Sequence, residues 1–447
     1  MAFSYELTPA DEKTLRSNYL ADDKARVVRN ALTKNDVDNI SRSFSSLCDN
    51  PFVFSIDIKT MPCTNQKKSG RCWIFSSMNV LREKIAAKYN IKNFELSQNF
   101  IAFYDKLEKA NWFMECILDE IASPLNAEVN RFLLQNAVGD GGQWNMIQSI
   151  VQKYGICPKT AMPETYQSSN TAHMNNVLNL RLRRFAADAH HLYEAGKADE
   201  LPKLRKDCLT ECYSLFADCF GLPPQEFTFE YTDKDDKPHA EYHVTPLDFY
   251  HKYLGVDLDD YVSVINGPTA DKPYHKLYTV KYLGNVVGGH RVELVNLPLD
   301  EFKEAALKQL KAGEVVWFGC DCSKDFGRDE CLWDDKLFDY ENTFDMHLSM
   351  SKADMLDSGE SAMNHAMVLT GVNLGEDGKP DRWKIENSWG EDKLVNKGYY
   401  VASDSWFDKY VYVLAVNKKY LSEKALAALK EEPTVLKPWD PFGTLAD

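Results

Sequence analysis

Apolar residues recur at helical spacing directly after Arg71. From Cys72 to about Tyr89, the residues Trp73, Ile74, Phe75, Met78, Leu81 and Ile85 share one face, with Arg82, Glu83, Lys84 and Lys88 opposite. That pattern predicts an amphipathic helix opened by a cysteine. Leu96-Ser97-Gln98-Asn99 reads as a cap leading into a second helix, roughly Phe100 to Lys109, and Asp119 to Asn136 carries another amphipathic pattern. The glycines of Gly139-Asp140-Gly141-Gly142 then predict a loop. Upstream, Glu6 to Asn50 is polar and helix-compatible, with a helix start at Thr33 to Val37.

The pattern changes after Cys157-Pro158. Asn175 to about Leu215 is charged and helical in period, broken near Gly196 and Pro202, which predicts a helical pair. Phe227, Phe229 and Tyr231 alternate with polar residues, a charged turn follows at Asp233 to Pro238, and Tyr242 and Val244 resume the alternation. This is a hairpin signal. Beyond about Pro273 strands dominate. They are Glu314 to Gly319 after an amphipathic helix at Leu299 to Leu310, His365 to Leu369, Arg382 to Glu386, Gly398 to Val401 and Val411 to Val416. A helical half bearing Cys72 therefore faces an antiparallel half bearing His365 and Asn387, an α+β arrangement with a cleft between the layers.

Composition narrows the function classes. The 447 residues, 44% of them hydrophobic, can bury one large elaborated domain or two to three smaller ones. A formal charge of −15 repels phosphate backbones and anionic lipid, and the one basic cluster, Arg181-Leu182-Arg183-Arg184, reads as a solvated helix face. Met1 to Leu7 lacks the basic and apolar regions of a signal peptide, and no apolar run approaches the ~20 residues of a membrane helix. The expected location is cytoplasmic. The eleven cysteines read as free thiols. Neither Cys208/Cys212/Cys219 nor Cys320/Cys322/Cys331 contains Cys-x-x-Cys or a histidine at zinc-finger spacing, so both clusters read as structural and no metal or other cofactor is expected.

The candidate chemistry lies in three segments. Asn65-Gln66-Lys67-Lys68-Ser69-Gly70-Arg71-Cys72-Trp73 puts a thiol at a helix N-terminus, where free N–H groups stabilise a thiolate. Asn364-His365-Ala366 opens a strand, and Asn387-Ser388-Trp389-Gly390 ends the next. Each residue alone also fits a bland role: a packed cysteine, a satisfied core histidine, a turn. Gln-x5-Cys-Trp, then Gly141-Gly142, then His-Ala before an apolar strand, then Asn-Ser-Trp-Gly is far harder to obtain by chance.

These motifs resemble the papain superfamily, and specifically its cytosolic branch of bleomycin hydrolase and bacterial aminopeptidase C. The likeness runs through most of the chain, to Pro438-Trp439-Asp440-Pro441-Phe442-Gly443. Papain-like peptidases carry Cys-Gly-Ser/Ala-Cys-Trp/Tyr, with histidine and asparagine roughly 130–150 residues on. Here Ser69 replaces the first cysteine, a disulfide partner in secreted papains, and His365 follows Cys72 by about 290 residues. Both departures fit the cytosolic branch. The resemblance implies a papain-like two-layer fold, a helical half plus an antiparallel β-barrel-like half, with a large helical and hairpin insertion. Its expected divisions are residues 1–170 for an N-terminal extension and helical half, 171–272 for the insertion, 273–430 for the β half and 431–447 for a tail in the cleft.

The resemblance also assigns roles. Cys72 is the nucleophile, held as a thiolate by His365, which then protonates the leaving amine. In papain-like pairs the thiol pKa falls to about 3–4. Asn387 orients the imidazole, Trp389 shields that hydrogen bond from water, and Gln66 joins the Cys72 N–H in an oxyanion hole. Gly141 and Gly142 offer backbone groups to an extended peptide. In this family the tail fills the subsites upstream of the cut, and its terminal carboxylate pairs with the substrate α-ammonium. That role falls to Asp447, although relatives tend to end in alanine. The implied partners are peptide substrates and a homohexamer of further copies, with the hairpin as a candidate arm. The leading function is thus a thiol aminopeptidase with no cofactor. The rivals are a thiol endopeptidase using the same site and, from another class, a nucleic-acid-binding or scaffold protein, which the charge opposes.

Overall fold

The computed structural model describes residues 5–391 and 396–446. Cys72–Tyr89 is a helix over the expected span, ended by Asn90 in the left-handed conformation. It packs with Gln98–Asp119 and Trp144–Tyr154 into a helical layer against the sheet. Ser97 caps Gln98–Asp119 by accepting from the Phe100 N–H. That helix runs about ten residues past the expected end, because Phe113, Met114, Cys116 and Ile117 keep a buried face going. The pattern from Asp119 to Asn136 yields only Glu128–Gln135; the stretch before it turns through Pro124. Arg82, expected opposite the apolar face, is buried.

The sheet is mixed. Tyr261–Ile265, Val411–Asn417, Val316–Cys320, His365–Leu374, Pro380–Glu386 and Tyr399–Ser403 lie side by side, each antiparallel to the next. Parallel pairings flank this set, Tyr261–Ile265 with Leu294–Asn296, Leu277–Val280 with Thr434–Leu436, and Tyr399–Ser403 with Leu332–Trp333. The strands expected to form an antiparallel set do so, and the parallel partners make the sheet mixed, because long connections, unlike hairpin turns, return a strand in the same direction. Sheet structure also starts earlier than Pro273, since Tyr261–Ile265 is a core strand.

Both faces of this sheet are covered. Along His365–Leu374, Ala366 and Val368 pack toward the helices, whereas Met367 and Leu369 join a second core beneath Leu299–Lys311 and Asp404–Tyr410. Alternation of side chains across a strand feeds both cores and fixes the register of His365.

The expected helical pair is Ala172–Glu194 and Leu201–Phe220, with Pro202 in the first turn of the second helix, where its missing N–H costs nothing. The hairpin Phe227–Thr232 with Pro238–Val244 docks on its own chain: Lys92 N–H donates to Thr232 O, Lys234 N–H to Asn90 O, and Phe229 is buried against Phe249 and Tyr253. Ten cysteines, Cys72 among them, are free thiols. Among the described residues no helix is long and apolar enough to cross a membrane.

Candidate active site

Cys72 is the first residue of its helix, and no side chain caps that end. Such an end exposes N–H groups and the positive pole of the helix dipole. The preceding loop is tightly held. Arg71 is buried and pairs with Glu164 through two nitrogens, at 3.2 and 2.7 Å, while its Nε donates to Ser69 Oγ. Ser69, standing where secreted papains have a half-cystine, donates to Gln66 O at 2.7 Å.

The sheet brings His365 to this helix end. The N–H of Ala366, the next residue, donates to Cys72 Sγ at 3.4 Å. On the far side of the ring, His365 Nε2 lies 2.9 Å from Asn387 Oδ1. The Ser388 N–H also donates to that Asn387 atom, at 2.7 Å. A backbone N–H can only donate, so the atom is an oxygen, Nε2 carries the proton, and Nδ1 is left as the basic nitrogen. The Trp389 ring lies 5.0 Å from the imidazole and covers it.

Gln66 is clamped at both ends. Its Oε1 accepts from Ser388 Oγ and its Nε2 donates to Ser69 O, each at 2.6 Å. One amide proton remains for another acceptor. Ser388, which sits inside the Asn-Ser-Trp-Gly motif without having been singled out there, thus connects Gln66 to Asn387.

The glycine loop faces the site from the other side. Gly142 packs on the Trp73 indole, where an added Cβ would lie 2.5 Å from ring carbon. Gly142→Ala should therefore displace the loop and cost about 1–3 kcal/mol, read as a lower urea midpoint. Behind the loop, Asp140 accepts from the Gly70 N–H at 2.9 Å, pairs with Lys106 at 2.8 Å and also binds Thr171 and Asn175. Its carbonyl accepts from Trp73 Nε1 at 2.6 Å. Lys106 donates to Gly139 O and Lys109 to Gly141 O. Burial opposes Asp140's charge, but Lys106 and these hydrogen bonds outweigh it and hold the carboxyl far below the usual range. Asp140, Lys106 and Lys109 escape a sequence reading; the only signal is a pair of lysines on a helix face that is otherwise apolar.

The chain's own tail lies on that loop. The Gly142 N–H donates to Leu445 O at 2.9 Å, Gln143 Nε2 donates to Phe442 O at 3.3 Å, and Thr444 Oγ1 donates to Met363 O at 2.8 Å. Phe442 and Leu445 are buried in the same apolar cluster as Cys72 and Ala366. Asp447, expected to present its carboxylate, lies outside the described residues. Cys72 and His365 are only 4% and 5% exposed. Burial pushes the thiol up to about 11, although the N–H groups of Ala366 and Trp73 pull it down. Burial likewise drives the imidazole down to about 4, against the Asn387 hydrogen bond. Both shifts run opposite to the ion pair that the resemblance implies. Loss of water disfavours both charged forms.

The sequence profile of the Peptidase C1-like family matches residues 6–443. The chain belongs to that family. Its relatives include aminopeptidase C of Lactobacillus delbrueckii subsp. lactis, 48% identical and covering 94% of each chain, and aminopeptidase C of Streptococcus thermophilus, 46% identical over 97% of each. The crystal structure of PepW from Lactobacillus rhamnosis HN001 superposes with a TM-score of 0.96 at 45% identity, over 99% of both chains. The fold of PepW is thus matched over nearly the whole chain. The segments holding Cys72, His365 and Asn387 all lie within the family match.

Proposed function

We propose that the protein is a thiol aminopeptidase that removes N-terminal residues from peptides through Cys72, His365 and Asn387. The observation that carries this reading is the Ala366 N–H on Cys72 Sγ, with the adjacent imidazole bound at its remote nitrogen by Asn387. Cys72 passes its proton to His365 Nδ1 and attacks the substrate carbonyl. The resulting oxyanion takes hydrogen bonds from the Cys72 N–H and the remaining Gln66 amide proton. His365 then gives its proton to the departing amine, leaving an acyl-enzyme. Water, deprotonated by the same imidazole, frees the acid and restores the thiol.

The tail supports an N-terminal register. A peptide running through the cleft would place a carbonyl on the Gly142 N–H, which Leu445 already uses. With the upstream positions filled by the chain itself, a substrate enters with its amino end at the cut. Deleting Thr444 to Asp447 should abolish the preference for an amino-free over an amino-blocked version of one peptide, and should open cleavage at internal bonds. An endopeptidase using the same site would cut blocked peptides before the deletion and change little after it.

A further inference from the structure

A cavity of about 780 Å³, within the range that ligand pockets occupy, lies near Trp389. Phe326 lines it and sets its ring edge-on to Trp389 at 5.7 Å. Ser323 lines it too, and its Oγ accepts from Nδ2 of Asn364, the residue before His365, at 3.4 Å. The cavity therefore begins on the imidazole side of the site, away from Gly142 and the tail. Chemistry gives that side its meaning. The acyl part of the substrate stays on sulfur, whereas the amine takes its proton from His365, so everything after the cut leaves along the imidazole side.

The walls describe what would fit. Phe338, Leu348, Met350 and Met355 supply apolar surface, and Leu348 and Met350 are solvent-exposed. Asp38, Asp325, Asp339 and Glu341 also line the cavity, and none has a cationic partner within 4 Å among the described residues. Their hydrogen bonds come from neutral groups: Tyr340 OH to Asp38, Tyr410 OH to Asp325, Asn342 Nδ2 to Asp339, and the Leu348 N–H to Glu341. Two of the three lining lysines are already neutralised, Lys324 by Glu360 and Lys409 by Asp335. Lys336 alone remains against four carboxylates.

We propose that this cavity binds the leaving part of the peptide over several residues and favours a basic side chain there. The inference rests on the aminopeptidase reading and adds to it a class of substrate: peptides, rather than dipeptides, with lysine or arginine shortly after the cut. The overall charge of −15 works in the same direction.

The test compares kcat/KM for a dipeptide and for two tetrapeptides identical except for lysine or glutamate at the third position. At low salt the lysine peptide should exceed the glutamate peptide by about tenfold, a difference that shrinks as salt rises. Asp38→Lys, a charge reversal on an exposed residue, should cut that ratio several-fold, and Asp339→Asn should lower it independently. A wild-type ratio near one, or a ratio that neither variant moves, overturns the proposal. Failure to cleave even the dipeptide would instead bring down the peptidase reading, and this inference with it.

Discussion

Cys72→Ala should lower kcat for peptide hydrolysis by about 10⁶, the scale seen when the nucleophile of an acyl-transfer site is removed. The variant should fold, because it deletes one buried atom whose hydrogen bonds among the described residues are to backbone groups. His365→Ala should be nearly as inactive, and the double variant scarcely worse than either single one, since the two act as a unit. Additive losses would mean that Cys72 and His365 do not work on the same step. The ionisation of the pair gives a second readout. A thiol pushed up to about 11 is almost wholly protonated at neutral pH, and an imidazole pushed down to about 4 is unprotonated there. Alkylation of Cys72 by iodoacetamide should therefore climb with pH well into the alkaline range in the intact chain. Removing Thr444 to Asp447 should admit water, stabilise both charged forms and move the rise toward neutral pH. Identical profiles for the two proteins would show that the tail does not set the desolvation of the pair.

Arg82→Met should destabilise the protein by about 3–5 kcal/mol, the cost of leaving one member of a buried ion pair alone. Arg82 comes from the nucleophile helix and Glu386 directly precedes Asn387; their side chains are each 1% exposed and meet at 3.1 Å. Asn79 and Thr60 donate to the same carboxylate, and Arg82 also donates to the carbonyls of Met61 and Pro62. Burial nevertheless raises the Glu386 pKa to about 7, more than Arg82 and Thr60 lower it. A folded-state pKa above the unfolded value means the folded protein holds that proton more tightly. The stability this group lends is complete below about pH 4.5 and is lost as pH rises through about 7. Without Arg82 the pKa goes higher still, so the urea midpoint of the variant should keep falling with pH above 7, where the wild-type contribution has levelled. Activity should fall too, because Asn387 rides on the strand end that Arg82 anchors. A variant with the wild-type midpoint and the wild-type pH dependence would show the pair to be energetically idle.

Much of the fold around the candidate site could be read in advance because its parts are local. The helix from Cys72 to Tyr89 announces itself through period, and the Ser97 cap and the Phe227 to Val244 hairpin through position and alternation. What eluded the reading depends on partners distant in sequence. Tyr261–Ile265 is a five-residue run, apolar but for Ser263, whose identity as a core strand comes from Val411–Asn417, about 150 residues later. The buried state of Arg82 depends on Glu386, and that of Lys106 on Asp140, so neither lysine nor arginine betrays its place by hydropathy. The extension of Gln98–Asp119 follows from packing against Leu201–Phe220, whose Arg205 reaches Asn111 and Glu115.

Ser388 has a role that outlasts any single substitution. Through it one three-residue strand exit steers the His365 imidazole, the indole that covers it and the Gln66 amide together. Swaps at positions 66, 387 and 388 are therefore epistatic: an enzyme engineer who transplants one of these side chains from a relative inherits the error of the other two, and the three must be exchanged as a cassette.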